Sequence, residues 1–352
     1  MTRKPNKRSR IQTTGHGNAH ASSSNENVKA LKLPVELLME IASHFKGLPD
    51  SFAGLHRGHY SQRTVVKYLE RTITLRSLSQ TCKFWRTIFF PLLWKTLDVY
   101  ATYSAPASWY RFLAKSLIKK CTAITLEENK IIAQHVRSMT VILSTSSAST
   151  VLPIFVQGLK SLPNLKLLYI VCAHDRMGTA LQAALKGHTF PQIETIALPI
   201  YTHHILRSCP NVKRVICVDG YSPGHLIDAI SKACKKVEEI ERFNFPDEKS
   251  MKSLVKATPN LRSIKLYLPI QHAAILKPLT ALKNLSHITL PSERRTPEEA
   301  LNNAMEGSCI KVAKDILRQS KSKDPKSLVL KYDPNSEDLL SDASGGWSKE
   351  IH

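Results

Sequence analysis

The side chains of this chain that could bind a metal are few and scattered. Histidines occur as the pair His203-His204, as His174 two residues after Cys172, and as His16 and His20. A structural zinc site needs about four such ligands, usually as two closely spaced pairs, and no second pair with suitable spacing follows any of these. We therefore predict no metal site and no cofactor.

Nucleophilic and phosphate chemistry are also poorly supported. The chain has no Gly-x-x-x-x-Gly-Lys loop, no Gly-x-Ser-x-Gly motif and only 13 glycines in 352 residues. Its seven cysteines are scattered, which argues against a disulfide framework and favours a reducing compartment. Cys209, Cys217 and Cys234 recur where apolar residues are expected, so we interpret them as core residues. We predict no catalytic residues and a protein that is not an enzyme.

The composition indicates a folded protein of two to three domains. Hydrophobic residues make up 42% of the 352 residues, enough for a sizeable core. No stretch approaches the ~18 apolar residues of a membrane span, and the first thirty residues lack the apolar centre of a secretory signal. We expect a cytoplasmic or nuclear protein, or one present in both compartments, without a membrane partner.

The net charge of +22 suggests nucleic acid or another anionic partner. The positive charge is densest in a Ser- and Asn-rich arm at 1–30, which is predicted to be disordered. This arm is interpreted either as a nuclear-localisation segment or as a solvated tail. The rest of the excess is spread thinly, which disfavours nucleic acid. The basic residues of the arm are Arg3, Lys4, Lys7, Arg8 and Arg10.

The first of two apolar stripes follows the run Leu33-Pro34-Val35-Glu36-Leu37-Leu38-Met39-Glu40-Ile41. Pro34 can begin a helix here, and Glu36 favours it through the helix dipole. The apolar residues that share one side of this predicted helix are Leu37, Leu38, Ile41 and Phe45.

The second stripe steps by 3, 4, 3 and 4 residues, which is typical of one helix face. Its members are Leu75, Leu78, Cys82, Trp85 and Phe89. Pro91 is expected to end this helix and to leave Leu92, Leu93 and Trp94 on a following turn. So small a helical unit cannot bury its own apolar surface, unless the stripes are an ordinary helix pair inside a larger core.

The two stripes together resemble an F-box over residues 31–97. The Leu-Pro-x-Glu-Leu-Leu opening, the Cys-x-x-Trp pair and the closing Leu-Trp come in that family's order, although the insert at 47–71 is longer than the usual loop. The resemblance implies a small helical unit that docks on a Skp-type adaptor and through it on a cullin. The implied adaptor-binding residues are Leu33, Pro34, Leu37, Leu38, Ile41, Leu75, Leu78, Cys82, Trp85 and Trp94.

From about residue 130 the chain repeats a short pattern, with apolar or small residues at a start position and then 3, 6 and 8 residues on. One unit reads Leu162, Leu165, Leu168, Ile170, and another reads Thr258, Leu261, Ile264, Leu266. The second positions, at 136, 165, 193, 212, 237, 261 and 285, differ by 29, 28, 19, 25, 24 and 24 residues. These spacings resemble those of leucine-rich repeats. An ordinary α/β domain with chance spacing is the alternative.

The pattern predicts one short strand and one helix per unit, with the sixth and eighth positions facing inward. Helices are expected at 147–159, 178–185, 224–233 and 249–257. Pro-Asn pairs such as Pro163-Asn164 mark the turn before a strand, where asparagine is expected to hydrogen-bond its own backbone. The predicted fold class is α/β, with an all-helical F-box followed by a leucine-rich-repeat-like solenoid whose parallel sheet lies on the concave side.

These patterns divide the chain into five parts. Thr296-Pro297-Glu298-Glu299 is a good helix start, and Asp, Ser and Gly predominate after Asp333. The predicted parts are a basic arm at 1–30, the F-box at 31–97, the solenoid at 98–295, a C-terminal helical cap at 296–332 and a flexible tail at 333–352.

Strand alternation predicts a partner surface on the opposite side of the sheet. Residues at the fifth, seventh and ninth positions should face outward there, where aromatic and arginine side chains are favoured anchors. The alternative is that the tail covers them or that they are simply solvated. The predicted substrate-binding residues are Tyr169, Arg214, Ile216, Glu239, Phe243, Lys265 and Tyr267.

Together these expectations describe a non-catalytic substrate receptor of an SCF-type ubiquitin ligase. The F-box would bind the adaptor, and the repeat region would hold an unidentified protein substrate near a ubiquitin-charged enzyme. The alternative from another class is a basic leucine-rich-repeat scaffold that binds nucleic acid or an acidic partner without ligase function. A steep loss of binding with salt would favour that alternative.

Overall fold

A computed structural model describes residues 33–44, 62–99, 109–219, 223–332 and 346–351, with the backbone alone for 62–69, 109 and 110. Four predicted features lie outside the described residues. They are the basic arm at 1–30, Phe45 at the end of the first stripe, residues 47–61 of the insert, and residues 333–345 of the tail.

One ten-stranded sheet organises the molecule. Its strands are β1 (Thr96–Asp98), β2 (Ser138–Leu143), β3 (Leu167–Ala173), β4 (Thr195–Leu198), β5 (Arg214–Cys217), β6 (Glu239–Phe243), β7 (Ser263–Leu266), β8 (His287–Ser292), β9 (Ser327–Tyr332) and β10 (Trp347–Glu350). They lie side by side in chain order. Neighbours from β1 to β9 are parallel, and β10 is antiparallel to β9. The predicted α/β class with a mostly parallel sheet is confirmed.

Helices connect the strands. The α-helices are α1 (Val35–His44), α2 (Gln62–Thr81), α3 (Lys83–Trp94), α4 (Trp109–Thr125), α5 (Lys130–His135), α6 (Ala148–Lys160), α7 (Gly178–Leu185), α8 (Gly224–Ala233), α9 (Glu248–Ala257), α10 (Pro297–Asn302) and α11 (Ala304–Gln319). The 3-10 helices are η1 (Glu127–Asn129), η2 (Asp175–Met177), η3 (Ile200–Ser208) and η4 (Ala273–Ala281). No helix in the described ranges is long and apolar enough to span a membrane.

The main core lies between one face of the sheet and a single layer of helices. In this layer α4 packs on α6, α6 on α7, α7 on η3, η3 on α8, α8 on α9, α9 on η4, and η4 on α11. Each parallel strand pair needs a crossover connection, and these helices supply it on the same side of the sheet. The opposite face, which we call the outer face, carries a separate and smaller apolar cluster.

The predicted inward positions are confirmed by both burial and register. Sixth-position residues pair with one another across the sheet, so that one apolar row crosses it from end to end. The predicted members of the row are Met139, Leu168, Ile196, Val215, Ile240, Ile264 and Ile288, and the structure adds Leu97 and Leu328 at its two ends. All nine are buried in the main core. The helices expected at 178–185 and 224–233 form at these residues.

The Pro-Asn turns before the strands join successive units. The side-chain amide of Asn164 donates to the carbonyl of Gln134 (2.9 Å), and that of Asn211 donates to the carbonyl of Pro191 (2.8 Å). We expected asparagine to bond its own backbone. It instead satisfies a carbonyl of the preceding unit, because parallel stacking brings that carbonyl within reach of the amide.

The sheet extends further at its C-terminal end than the sequence analysis predicted. β9 lies in the segment assigned to a helical cap, and β10 lies in the segment assigned to a flexible tail. β9 carries the same alternation as the earlier strands, with Leu328 and Leu330 buried. Leu328 follows Ile288 by 40 residues, because α10 and α11 lie between β8 and β9, so the regular spacing did not reveal it.

The N-terminal helices also differ in their boundaries. α2 begins at Gln62, inside the predicted insert. The second stripe is divided between two helices at Cys82, whose thiol accepts a hydrogen bond from the backbone N–H of Trp85 (3.4 Å) and caps α3. Pro91 lies inside α3 and does not end it. The loss of one backbone hydrogen bond is tolerated here because Leu92 and Leu93 pack on the cluster formed by the three helices.

Candidate functional site

Helix α1 carries apolar side chains on most of its circumference, interrupted by Glu36 and Glu40. Only Leu38 is buried, at 1% exposure. At 100° per residue, Leu37 and Ile41 lie on one side of Leu38, and Val35 and Met39 lie on the other. These four side chains are 41% to 50% exposed. The helix therefore packs one stripe inward and leaves apolar surface uncovered on both sides of it.

The neighbouring helices add to this uncovered set. Among the described residues, six of the 13 exposed large apolar side chains belong to α1, α2 and α3. We call these six the helical surface: Val35, Leu37, Met39, Ile41, Ile73 and Phe84. Single exposed apolar residues are ordinary, but this concentration in three helices with a core of only three buried apolar residues is not.

The ten residues predicted to bind an adaptor divide into three groups by exposure. Pro34, Leu37 and Ile41 are exposed, whereas Leu38 and Leu75 are buried with Phe89 in the small core of the three helices. The remaining five are half-buried: Leu33, Leu78, Cys82, Trp85 and Trp94. Sequence reasoning missed Val35, Met39, Ile73 and Phe84, because it followed a single stripe on each helix.

The half-buried members of the predicted set make contacts inside the helical unit. The Trp85 ring packs edge-on against Phe89, with ring centroids 5.8 Å apart, and Trp94 packs similarly on Phe90 at 6.3 Å. Phe90 also meets the ring of His135 on α5, which brings α3 against the sheet-bearing part of the chain. These aromatics therefore order the unit and fix it next to β1.

The outer face is apolar in its N-terminal half. Ile142, Tyr169 and Val171 are buried there, together with Ala197 and Val218. Leu113, at the start of α4, belongs to the same cluster and reaches the outer face from the helix layer. Tyr169 lies on the predicted face but is only 4% exposed, so the prediction of an exposed anchor is corrected.

The C-terminal half of the outer face carries a network of ion pairs. Arg214 contacts Glu241 (2.5 Å) and Glu239 (3.5 Å), and Lys265 contacts Glu241 (3.3 Å). Burial alone would raise the pKa of Glu241, but the hydrogen bonds and charges of Arg214 and Lys265 outweigh it and lower that pKa. All four side chains are half-buried, and they lie on the face that the alternation predicted.

Phe243 does not lie on the outer face, so this prediction is wrong. Arg242 adopts a left-handed backbone conformation (φ 63°), and the pairing of β6 with β7 shifts between Glu241 and Phe243. One extra residue at such a bulge reverses the alternation after it. Phe243 therefore points into the main core, where it is fully buried.

The same bulge brings Arg242 over the ring of Tyr267, with the guanidinium carbon 4.5 Å from the ring centroid. In the sequence, Arg242 stands where the repeat pattern calls for an inward apolar residue. That break is the signal that could have revealed the bulge, because a charged residue rarely occupies a core position. Tyr267 and Ile216 are half-buried, as is His287, which contacts the hydroxyls of Ser327 (2.5 Å) and Thr289 (2.9 Å).

The paired histidines first considered as metal ligands pack on each other, and the cysteines first considered as nucleophiles lie in the core. His203 and His204 lie with ring centroids 4.1 Å apart, and His203 stacks on His225 at 5.2 Å. Among the residues that the structure covers, no three His, Cys, Asp or Glu side chains are grouped so that they could hold a metal. Cys209, Cys217 and Cys234 are buried, and burial raises the pKa of Cys234 to about 12.

A scan against protein-family models and a search of curated proteins found no match to this chain.

Proposed function

We propose that the chain is the substrate-receptor subunit of an SCF-type ubiquitin ligase. In this proposal residues 31–97 form an F-box that docks on a Skp-type adaptor, and residues 98–295 form a leucine-rich-repeat-like solenoid that holds a protein substrate. The observation that carries the proposal is the helical surface, where α1 exposes four large apolar side chains and buries only Leu38.

The energetics of α1 favour a protein partner. Leu37 and Ile41 each expose two-fifths or more of their surface to water. Full burial of such a side chain contributes about 1.5–3 kcal/mol, so covering the exposed part contributes about 1 kcal/mol each. A partner that covered the whole helical surface would thus gain several kcal/mol from contacts that the isolated chain does not make.

The position of the helical unit suits a receptor. α3 contacts β1 and α5, so the unit adjoins the first strand of the sheet, and the charged part of the outer face lies several strands away on β5 to β7. A partner on the helical surface and a substrate on the outer face would not compete for the same residues. Holding both would raise the local concentration of the substrate beside the enzyme, without chemistry by this chain.

The test is co-purification of the full chain with a Skp-type adaptor, comparing the wild type with a Leu37→Asp, Ile41→Asp double variant. Both side chains are exposed, so the charges should leave the fold intact while they block an apolar contact. Loss of two interface anchors commonly costs about 2 kcal/mol or more of binding free energy. The affinity for the adaptor should therefore fall at least about thirtyfold.

Ile131→Asp supplies the matched control, because Ile131 on α5 is exposed (63%) and apolar but lies outside the helical surface. This variant should retain the adaptor at the wild-type level. The ligase proposal would be wrong if the double variant retained as much adaptor as the wild type, or if the wild type bound no adaptor.

A basic scaffold for an acidic partner is the second candidate. It is favoured by a shallow groove along α11, which is lined by Lys311, Lys314 and Arg318, by Asp315 that pairs with Arg318 (3.5 Å), and by Leu301 and Ile310. Such a scaffold would bind a single-stranded oligonucleotide with an affinity that falls steeply between 50 and 200 mM salt. Salt-sensitive oligonucleotide binding without adaptor binding would favour this candidate over the receptor.

A further inference from the structure

Arg242 differs from the other charged side chains in the middle of the outer face. Arg214 and Lys265 are paired with Glu239 and Glu241. The guanidinium of Arg242 lies over the Tyr267 ring and makes no ion pair or hydrogen bond with the described residues. Its Nε is buried and also lacks a hydrogen-bond partner among them.

The backbone holds Arg242 in this place. A non-glycine residue with φ near 63° is uncommon and persists only where its surroundings determine it. Phe243 supplies one such constraint, because it fills the main core beside Phe245 with ring centroids 6.2 Å apart. Tyr267 supplies the other by stacking under the guanidinium. The bulge therefore interrupts the regular strand and holds the Arg242 guanidinium at a fixed position.

Because Nε of Arg242 is buried, the edge that the stacked guanidinium can offer a ligand is the one formed by its two terminal NH2 groups. This planar edge matches the two oxygens of a carboxylate or a phosphate, and both form strong charge-assisted hydrogen bonds with it. Stacking on Tyr267 also restricts the side chain before binding, which lowers the entropy cost of ordering it. Glu239 and Glu241 balance the charges of Arg214 and Lys265, which leaves Arg242 as the one extra positive charge of this group and suits a single anionic group.

We propose that Arg242, supported by Tyr267, forms a subsite that binds one carboxylate or phosphate group of a partner protein. The group belongs to an acidic or a phosphorylated side chain. The identity of this partner as a ligase substrate rests on the proposed function. Binding of the anion by the isolated chain does not rest on that function. A negative result in the adaptor co-purification would therefore leave the anion subsite standing, and a negative result in the anion titration would leave the ligase proposal standing.

The experiment uses the full chain labelled with 15N and titrated in separate arms with N-acetylglutamate N-methylamide and with N-acetylphosphoserine N-methylamide. N-acetylglutamine N-methylamide is the neutral control ligand. The arginine Nε–Hε signal that is missing from Arg242→Gln identifies Arg242 in the wild type. We expect this signal and the amides of Lys265 and Tyr267 to shift saturably with at least one anion and not with the neutral ligand.

Variants of the site should separate binding from folding. Arg242→Gln should weaken binding of the anion about tenfold or more, as measured by titration of the Lys265 and Tyr267 amide signals. Glu241→Gln should strengthen it severalfold, because a nearby negative charge is removed. Tyr267→Leu keeps apolar bulk but removes the ring face, and it should weaken the anion severalfold. The matched control is Arg262→Gln, since Arg262 already pairs with Asp324 (3.1 Å), and it should change nothing.

Two results would overturn the proposal. One is an anion affinity in Arg242→Gln equal to that of the wild type. If Arg242→Gln does not fold, a wild-type affinity in Tyr267→Leu overturns the proposal in its place. The other result is a single-stranded oligonucleotide that binds more tightly than either single anion and shifts the same signals, which would assign the site to nucleic acid.

Discussion

The helical unit α1–α3 and the sheet-bearing part of the chain solve the burial problem in opposite ways. The unit buries three apolar side chains and exposes six large ones. The sheet and its helix layer bury one continuous core from Leu97 to Leu330, and the C-terminal half of the outer face carries paired charges. One region thus exposes more large apolar side chains than it buries in its core, whereas the other buries far more than it exposes.

The difference shows what each kind of pattern indicates. Repeated units supply one another with a buried face, so their apolar residues are accounted for inside the chain. Three helices alone cannot do this, because too much of their surface remains in water. Apolar residues in excess of what a region can bury are therefore a stronger sign of a binding partner than the apolar content itself.

The largest effect is expected for Phe155→Ala in the main core. Phe155 is fully buried on α6, so the free energy of unfolding should fall by about 3–5 kcal/mol. Phe84→Ala, at a 47% exposed position of the helical surface, should change it by no more than about 0.5 kcal/mol. Denaturant unfolding followed by circular dichroism measures both. Similar losses in the two variants would remove the contrast between the regions.

Phe89→Ala tests whether the helical unit is a separate cooperative region. Phe89 is fully buried with Leu38 and Leu75, and its truncation should cost about 3 kcal/mol or more locally. Hydrogen exchange should accelerate in α1 to α3 and remain unchanged in β4 to β8. Uniform acceleration along the whole chain would show that the two regions unfold together.

A pH effect is expected from the histidines on η3. Burial lowers the pKa of His203 and of His204 below their ordinary value of 6.5. As pH falls through 6.5, the unfolded chain binds protons before the folded chain does, so stability should fall from about pH 7 downward. The melting temperature of His203→Gln should decline less between pH 7.5 and 5.5 than that of the wild type. Exposed His272→Gln serves as the control.

The smallest effect concerns thiol reactivity, which tests whether the cysteines of the core are closed to solvent. Five of the seven cysteines are buried, and burial raises the pKa of Cys121 to about 12. An aqueous thiol reagent should modify only exposed Cys172 and half-buried Cys82 in the native protein, and all seven after unfolding. Rapid native labelling of a third cysteine would reveal an opening of the core.

Periodicity along the chain was enough to place the inward residues of the strands. Ile196, Val215 and Ile264 were identified from spacing alone, because a stacked unit repeats its own pattern of burial. The helix after Val215 was also placed from the sequence, whereas the 3-10 helices η3 and η4, which follow Ile196 and Ile264, were not. The local sequence also identified α1 as a helix with an apolar stripe.

Contacts between distant residues decided the rest. The bulge at Arg242, the burial of Phe243 and the stacking on Tyr267 depend on how β6 pairs with β7. Leu113 joins the cluster on the outer face only because α4 packs beside α6 and β2, and β10 forms only because β9 offers it an edge. The sequence by itself determined which residues of the regular units face the core, but not the faces of Arg242 and Phe243 at the bulge. The tertiary structure decided which outward residues remain exposed, because exposure depends on what covers a residue and not on its neighbours in the chain.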